Sequence, residues 1–211
     1  MESNKTYHII VNPASRSGKG LRIWKEQVEP VLLKENVSYQ YYFSEKSGDI
    51  AKLTSEILSA RTDTPVNLIL LGGDGTVNEA LQGIPGPSWT SSHVTLGYIP
   101  TGSSNDLARD IGIPTSPEAA LDLILHTGKA LPMDLGTVAF PDGGKRFFIV
   151  STGIGYDAAV CEEILRSKLK KVMNRIGLGK LTCFPLHRLP SNQNRRLLAL
   201  CGNRRERHVH P

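Results

Sequence analysis

The sequence lacks the features that would place the protein in a membrane or outside the cell. It has no apolar run approaching the ~20 residues that a membrane-spanning helix requires. Its first five residues, MESNK, are polar, and we expect no signal peptide. The three cysteines, Cys161, Cys183 and Cys201, show neither metal-ligand spacing nor a disulfide framework. We therefore predict a protein of the reducing cytoplasm without a transmembrane segment.

The sequence also has no excess charge over most of its length. Six arginines and one acid lie between Cys183 and Pro211 and give this segment a net charge of +5. The preceding residues hold nineteen bases and nineteen acids. Because nucleic-acid binding requires a basic surface, this neutral body argues against a nucleic-acid partner.

The basic segment at residues 183–211 is atypical. It has no lysine and no aspartate, and neither strand nor helix periodicity runs through it. We interpret it as a disordered tail, or as the product of a reading-frame change or premature end after about Thr182. The alternative is a native basic tail that contacts anionic lipid headgroups, where each base could add about 1 kcal/mol.

Strand and helix patterns alternate through residues 1–131. Apolar or alternating runs predict strands at residues 7–11, 37–43, 66–71 and 94–99. Apolar faces at helical spacing predict helices at residues 21–34, with Leu21 and Trp24 on the buried face, at 49–60 and at 117–126. This order predicts an α/β fold built on a doubly wound parallel sheet. A hairpin predicted after Pro132 then begins an incomplete β-rich second domain at residues 132–182, with a helix at 157–171.

A glycine-rich run, Gly72-Gly73-Asp74-Gly75-Thr76, directly follows the apolar strand at residues 66–71. Glycine lets backbone N–H groups approach a ligand, and the start of the next helix adds unpaired donors and a positive dipole end. A phosphate group suits such a place. Because a carboxylate repels phosphate, Asp74 predicts a divalent cation between itself and a nucleotide. An ordinary tight turn is the alternative, and Thr76 and Glu79 have the spacing of a capping box.

This run differs from two well-known phosphate-binding motifs. The dinucleotide fingerprint would need a third glycine where Asn78 stands. Ser17-Gly18-Lys19-Gly20 is not a P-loop either, because Gly20 stands where that motif needs serine or threonine.

Polar, glycine-rich loops follow three of the predicted strands, at residues 12–20, 72–78 and 100–106. In an open parallel sheet ligands bind at the carboxyl ends of the strands, so we expect these loops to form one site at one edge. The hydroxyls of Ser103 and Ser104 and the amide of Asn105 are candidate donors to phosphate or ribose. Arg16 and Lys19 either offset phosphate charge or are solvated loop cations.

Three blocks of this sequence, in their order and spacing, resemble the catalytic domain of the diacylglycerol kinase and sphingosine kinase family, in its bacterial lipid kinase branch. They are Asn12-Pro13 with Ser17-Gly18-Lys19-Gly20, the run from Gly72 to Glu79, and the run from Ile99 to Arg109. Shorter matches at residues 133–136 and 153–157 extend the resemblance to about residues 5–182.

The resemblance implies transfer of the γ-phosphoryl group of ATP, with Mg²⁺, to a lipid hydroxyl such as that of diacylglycerol. The protein would then be cytoplasmic and peripheral, meeting its lipid acceptor at a membrane surface. Asp74 would be the catalytic residue and the metal ligand. The nucleotide contacts implied by the resemblance are Asn12, Ser44, Gly72, Gly73, Asp74, Gly75, Thr76, Val77, Asn78 and Ser103.

The resemblance is incomplete in one respect. Family members carry an acidic general base in an Asp-Gly-Glu setting, whereas the acids after Asp157 in this sequence are Glu162, Glu163 and Glu206. We therefore expect nucleotide binding with little or no lipid kinase turnover. The alternatives are a small-molecule kinase similar to NAD kinases and a non-catalytic nucleotide-binding remnant. Exposed strand edges would favour a homo-oligomer or partial disorder.

Overall fold

A computed structural model describes residues 5–60, 65–85, 94–127 and 130–153, together with residues 155, 158, 159 and 162. The chain divides into two compact units, Met1–Val150 and Ser151–Pro211. Most of the helix expected at residues 157–171, and all of the basic tail expected at 183–211, lie outside the described residues. The division into domains at residues 1–131, 132–182 and 183–211 stays a prediction.

The first unit is organised by a four-stranded parallel sheet. Its strands are β1 (Thr6–Val11), β2 (Ser38–Phe43), β3 (Val66–Gly72) and β4 (Val94–Pro100), in the order β2-β1-β3-β4. Val11 lies beside Phe43 on one side and Leu71 on the other, and Gly72 lies beside Pro100. All four strands therefore end at the same edge of the sheet, and the predicted parallel α/β sheet is confirmed.

Helices follow the strands and cover both faces of the sheet. They are α1 (Ser15–Gly18), α2 (Gly20–Ile23), α3 (Glu29–Lys34), α4 (Asp49–Ser59), α5 (Asp74–Leu81), α6 (Asp106–Asp110) and α7 (Pro117–His126), with a π-helical segment, Trp24–Val28, between α2 and α3. No helix among the described residues combines the length and the apolar character needed to cross a membrane.

Successive strand residues pack into two separate hydrophobic cores, one on each face of the sheet, because side chains alternate between the faces. Ile10, Leu68 and Leu70 pack with α4, α5 and α6. Ile9 and Ile69 belong to the opposite core, which contains residues of α2, the π-helical segment, α3 and α7. Each of these side chains is at most 1% exposed, and full burial of one such side chain contributes about 1.5–3 kcal/mol.

The helix predicted at residues 21–34 is present but interrupted. Pro30 has no N–H to donate, and just before it the Glu29 N–H bonds to the Trp24 carbonyl, five residues back, in the wider π-helical turn. Trp24 is buried as predicted, but the prediction for Leu21 is wrong, since it is 37% exposed. The buried face begins at Gly20, and Leu21 is rotated from it by about 100°.

An antiparallel hairpin of β5 (Gly136–Ala139) and β6 (Lys145–Phe148) confirms the hairpin predicted after Pro132. Gln82, which follows α5, connects it to the rest of the first unit. The Gln82 Nε2 donates to the Phe147 carbonyl over 2.9 Å, and the Phe147 N–H donates to Gln82 Oε1 over 3.1 Å. The hairpin is therefore tied to the helix that follows β3.

Candidate functional site

The segments that follow the four strands meet at the carboxyl edge of the sheet. Backbone hydrogen bonds continue the strand pairing by one residue at this edge. In each of them an N–H just after one strand donates to a carbonyl at the end of its neighbour. The pairs are Asn12 N–H to the Leu71 carbonyl at 2.9 Å, Ser44 N–H to the Val11 carbonyl at 3.0 Å, and Thr101 N–H to the Gly72 carbonyl at 2.6 Å. The prediction that three glycine-rich loops share one edge is confirmed.

Asn12 connects the first loop to helix α5. Its Nδ2 donates to the Thr76 hydroxyl over 3.0 Å, while its Oδ1 accepts from the Ala14 N–H at 3.1 Å. Both hydrogen-bonding ends of this amide are thus engaged. An asparagine directly after a strand can in this way hold its own loop and reach a second one.

The predicted capping box is wrong. Helix α5 begins at Asp74, with Gly73 as its N-cap and no side-chain cap hydrogen bond. Thr76 therefore lies inside the first turn, where it is 4% exposed and its N–H bonds to the Gly73 carbonyl at 2.8 Å. The N-cap is Gly73, three residues before Thr76, so the Thr76 hydroxyl is available to Asn12.

Two further contacts close the ring of loops. The hydroxyls of Ser15 and Thr101 lie 2.8 Å apart and connect the first loop to the third. Gly73 and Gly102 connect the second to the third by direct backbone contact, since a Cβ added to Gly73 would lie 3.0 Å from the Gly102 Cα. Only glycine allows this approach without displacement of the backbone. The three loops thus form one connected structure.

Asp74 caps the helix that follows the third loop. Its Oδ2 accepts a hydrogen bond from the Asp106 N–H at 3.0 Å, and its Oδ1 accepts one from the Leu107 N–H at 3.2 Å. Burial, together with the neighbouring Asp74 carboxylate, raises the pKa of Tyr98 well above its ordinary value of 10.0. The phenol therefore stays protonated beside the carboxylate. Asp74 is held in one place by α6, which its position in the sequence did not indicate.

Asp74 offers a carboxylate of the kind that binds Mg²⁺. In the part of the chain that the structure describes, no three His, Cys, Asp or Glu side chains are grouped so as to hold a metal ion. Mg²⁺ is commonly bound by one or two carboxylates plus phosphate oxygens and water. Asp74 is half-buried at the start of α5 and offers such a carboxylate. Its metal role stays a prediction.

The other predicted nucleotide contacts differ in exposure. Gly75 and Asn78 are exposed on α5, and Ser103 is exposed in the third loop. Ser44 is 9% exposed at the end of β2. Val77, by contrast, is 3% exposed and packs in the core that contains residues of α4, α5 and α6, so its side chain stabilises the start of α5. Contact of these residues with nucleotide stays a prediction.

The amide of Asn105 shapes the loop itself, and its contact with a ligand stays a prediction. Its Oδ1 accepts from the Gly102 N–H at 2.8 Å and its Nδ2 donates to the Gly102 carbonyl at 3.2 Å. Asn105 has a φ of 53°, in the left-handed region that asparagine tolerates better than most residues. It therefore builds the turn that brings Gly102 against Gly73.

The two loop cations, Arg16 and Lys19, are both exposed. Arg16 and Ser17 have φ values of 51° and 58°, also in the left-handed region. Such backbone conformations are costly for these residue types and cluster at ligand sites. Exposure agrees with both interpretations of the cations, as phosphate partners and as solvated charges.

The chain is similar to known proteins. Residues 6–138 match the family model of the diacylglycerol kinase catalytic domain. A diacylglycerol kinase of Staphylococcus saprophyticus is 33% identical over 172 residues, which cover 80% of this chain and 51% of that protein. A diacylglycerol kinase of Staphylococcus aureus strain JH9 is also 33% identical over 172 residues, or 80% of this chain and 49% of that protein.

A solved structure shows the same fold. The crystal structure of a diacylglycerol kinase from Bacillus anthracis strain Sterne matches with a TM-score of 0.57 and 27% identity, covering 83% of this chain and 55% of that one. This chain spans about half the length of the relatives it matches. Since the family model matches more than half of the chain and includes all three loops, the chain belongs to the diacylglycerol kinase catalytic domain family.

Proposed function

We propose that this chain binds ATP with Mg²⁺ at the carboxyl edge of its sheet and supplies the nucleotide site of a lipid kinase. The reaction is transfer of the γ-phosphoryl group to a lipid hydroxyl such as that of diacylglycerol. The observation that carries the proposal is the connected ring of three glycine-rich loops at one sheet edge. Relatives named diacylglycerol kinases support the lipid as the class of acceptor.

The residues of the ring suit the phosphates of a nucleotide. The N–H groups of Asp74 and Gly75 begin α5, where helix geometry gives them no acceptor within the helix, and they provide donors with the positive end of the helix dipole behind them. Gly75 leaves open space above them, since a Cβ added there would have no heavy atom within 4 Å. Ser44 and Ser103 offer hydroxyls from the flanking strand ends. These groups bind and orient the phosphates, which is the main task of a protein in phosphoryl transfer.

Asp74 is the candidate ligand of Mg²⁺. When bound, the ion would offset the negative charge of the phosphate oxygens. Two backbone N–H groups already orient the carboxylate, so it needs little rearrangement to receive the ion. The acceptor is a lipid at a membrane surface, and we propose that the protein is cytoplasmic and meets that surface peripherally.

Fluorescence titration with mant-ATP, with and without Mg²⁺, tests nucleotide binding by the full chain. We expect binding that requires Mg²⁺ and that unlabelled ATP displaces. A lack of such binding would contradict the proposal.

A thin-layer assay with labelled ATP tests the acceptor, with diacylglycerol vesicles and NAD offered in parallel. Because the sequence has no Asp-Gly-Glu motif, we expect little or no phosphatidate, any that forms depending on Asp74, and no phosphorylated NAD. Phosphorylated NAD would contradict the lipid acceptor, and abundant Asp74-dependent phosphatidate would contradict the expected low turnover.

A further inference from the structure

Glu79 lies on α5, five residues after Asp74, and reaches a different helix. Its Oε1 accepts hydrogen bonds from the Gly48 N–H at 2.7 Å and from the Ile50 N–H at 3.1 Å. These amides are at the start of α4, whose N-cap residue makes no side-chain cap hydrogen bond of its own. Free N–H groups and a positive dipole end at a helix start both stabilise a carboxylate. Glu79 therefore supplies the cap that α4 lacks.

The turn before α4 is held from two sides. From within, the Asp49 Oδ2 accepts from the Glu45 and Lys46 N–H groups, each at 2.9 Å. These two hydrogen bonds lower the pKa of Asp49 below its ordinary value, and the bond from Lys46 has the larger effect. From outside, Glu79 bonds to Gly48, 31 residues away in the sequence. Asp49 shapes the turn locally, whereas Glu79 attaches it to α5.

The two ends of this attachment carry predicted nucleotide contacts. Ser44 begins the turn at the carboxyl end of β2, and the glycine-rich run at residues 72–78 directly precedes Glu79. We propose that Glu79 is a positioning residue for the nucleotide: it fixes the turn of Ser44 to the helix of Asp74, so that both act on one bound phosphate chain. This inference rests on the proposed nucleotide site, and it assigns Glu79 no contact with the nucleotide.

Fixing the turn before the nucleotide arrives reduces the entropy that binding must remove. The hydrogen bonds to Glu79 are charge-assisted and therefore stronger than those that a neutral amide accepts. Glu79→Gln keeps an oxygen acceptor and should retain much of the effect, whereas Glu79→Ala removes it. Glu56→Ala is a matched control, because Glu56 is an exposed glutamate of α4 whose side chain pairs with Lys52.

The test is a double-mutant cycle on mant-ATP affinity in Mg²⁺, with the full chain. We expect Glu79→Ala to raise the Kd about tenfold and Glu79→Gln about two- to threefold, and Glu56→Ala to leave it unchanged. Ser44→Ala should weaken binding in the wild-type background and have no further effect once Glu79 is alanine. Ser103→Ala, in a loop that Glu79 does not contact, should keep its full effect in both backgrounds.

Amide hydrogen exchange at Gly48 and Ile50, measured without nucleotide, reports the contact itself. Faster exchange with unchanged affinity, or additive effects of Ser44 and Glu79, would overturn the positioning role while the proposed function stands. No Mg²⁺-dependent binding by the wild-type chain would instead overturn the proposed function and this role with it. If Glu79→Ala fails to fold, Glu79→Gln decides the matter, and an unchanged Kd and unchanged coupling to Ser44 would overturn the role.

Discussion

The side-chain amide of Asn12 donates a hydrogen bond to the hydroxyl of Thr76 across 3.0 Å, joining residues 64 positions apart in the sequence. The hydroxyl is buried, and Thr76 packs so closely on β3 that a Cβ added to Gly72 would collide with it. The bond therefore fixes the first loop to the start of α5. It also leaves little freedom for either side chain to turn toward a ligand.

We expect Thr76→Val to lower the free energy of unfolding by about 1–2 kcal/mol, because the half-buried Asn12 amide loses its acceptor. Asn12→Ala should cost a similar amount. The double variant should lose less unfolding free energy than the two single variants together, and the difference, the coupling energy, should be roughly 0.5–1.5 kcal/mol. Urea denaturation of the four proteins measures this coupling, and strict additivity would show that the bond contributes nothing to stability.

Gly75 and Gly72 should respond in opposite ways to alanine. At Gly75 the added methyl meets no heavy atom within 4 Å, so Gly75→Ala should stabilise the helix by about 0.5–1 kcal/mol. The same methyl occupies the space through which phosphate would approach, and we expect roughly tenfold weaker mant-ATP binding. Gly72→Ala should instead destabilise the fold, because its Cβ meets the Thr76 side chain.

Thermal melting and mant-ATP titration separate the two glycine effects. A Gly75→Ala protein that melts higher and binds nucleotide as the wild type does would show that phosphate does not approach this turn.

Asp74 should have one role in stability and another in binding. Asp74→Ala removes both bonds to the start of α6 and should cost about 1–2 kcal/mol, the usual price of a lost helix cap. Asp74→Asn keeps one oxygen acceptor and should cost less. Both variants should abolish the Mg²⁺ dependence of nucleotide binding, since both lack the carboxylate.

Asp110→Asn, at the exposed end of α6, is the matched control for these variants and should keep both properties. Retained Mg²⁺-dependent binding in Asp74→Asn, measured by titration at matched ionic strength, would place the metal elsewhere.

His126 should make the stability of the fold depend on pH near neutrality. Its Nδ1 lies 3.0 Å from Asp122 Oδ1 and its Nε2 lies 3.1 Å from Glu35 Oε2. The hydrogen bond with Asp122 raises the pKa of His126 above its ordinary 6.5, and the negative charge of Glu35 adds a smaller effect in the same direction. The stabilisation is therefore complete below pH 6.5 and is lost as pH rises through the higher pKa of the folded state.

Urea midpoints at about pH 6 and about pH 9 test this dependence. The wild type should lose stability toward the higher pH by more than His126→Gln does. An equal loss in both proteins would show that another group is responsible.

The sheet and its loops could be predicted because their signals are local. Residues 66–71 form an unbroken apolar run, and such a run needs a sheet covered on both faces, which the two cores around β3 provide. The glycine-rich run directly behind it then had to start at the carboxyl edge. The Asn105 turn also left a local signal, since an asparagine three residues after a glycine can bond back to it.

The roles of the two carboxylates of α5 could not be predicted, because their partners are remote in sequence. The spacing of Thr76 and Glu79 predicts a capping box, yet Glu79 bonds to amides 29 and 31 residues away. Asp74 reaches amides 32 and 33 residues ahead. Sequence periodicity identifies neighbours within an element, whereas these contacts exist only after α4, α5 and α6 have packed on one face of the sheet.

The paired hydrogen bonds between Gln82 and Phe147 have a practical consequence for isolating the nucleotide-binding unit. The glutamine amide donates to and accepts from one residue of β6, as an adjacent strand would, and it occupies a strand edge that otherwise could recruit other chains. A fragment ended at residue 131 would lose the hairpin and both of these hydrogen bonds. A fragment ended after Val150 keeps the pair, and is the better choice for expression and crystallisation.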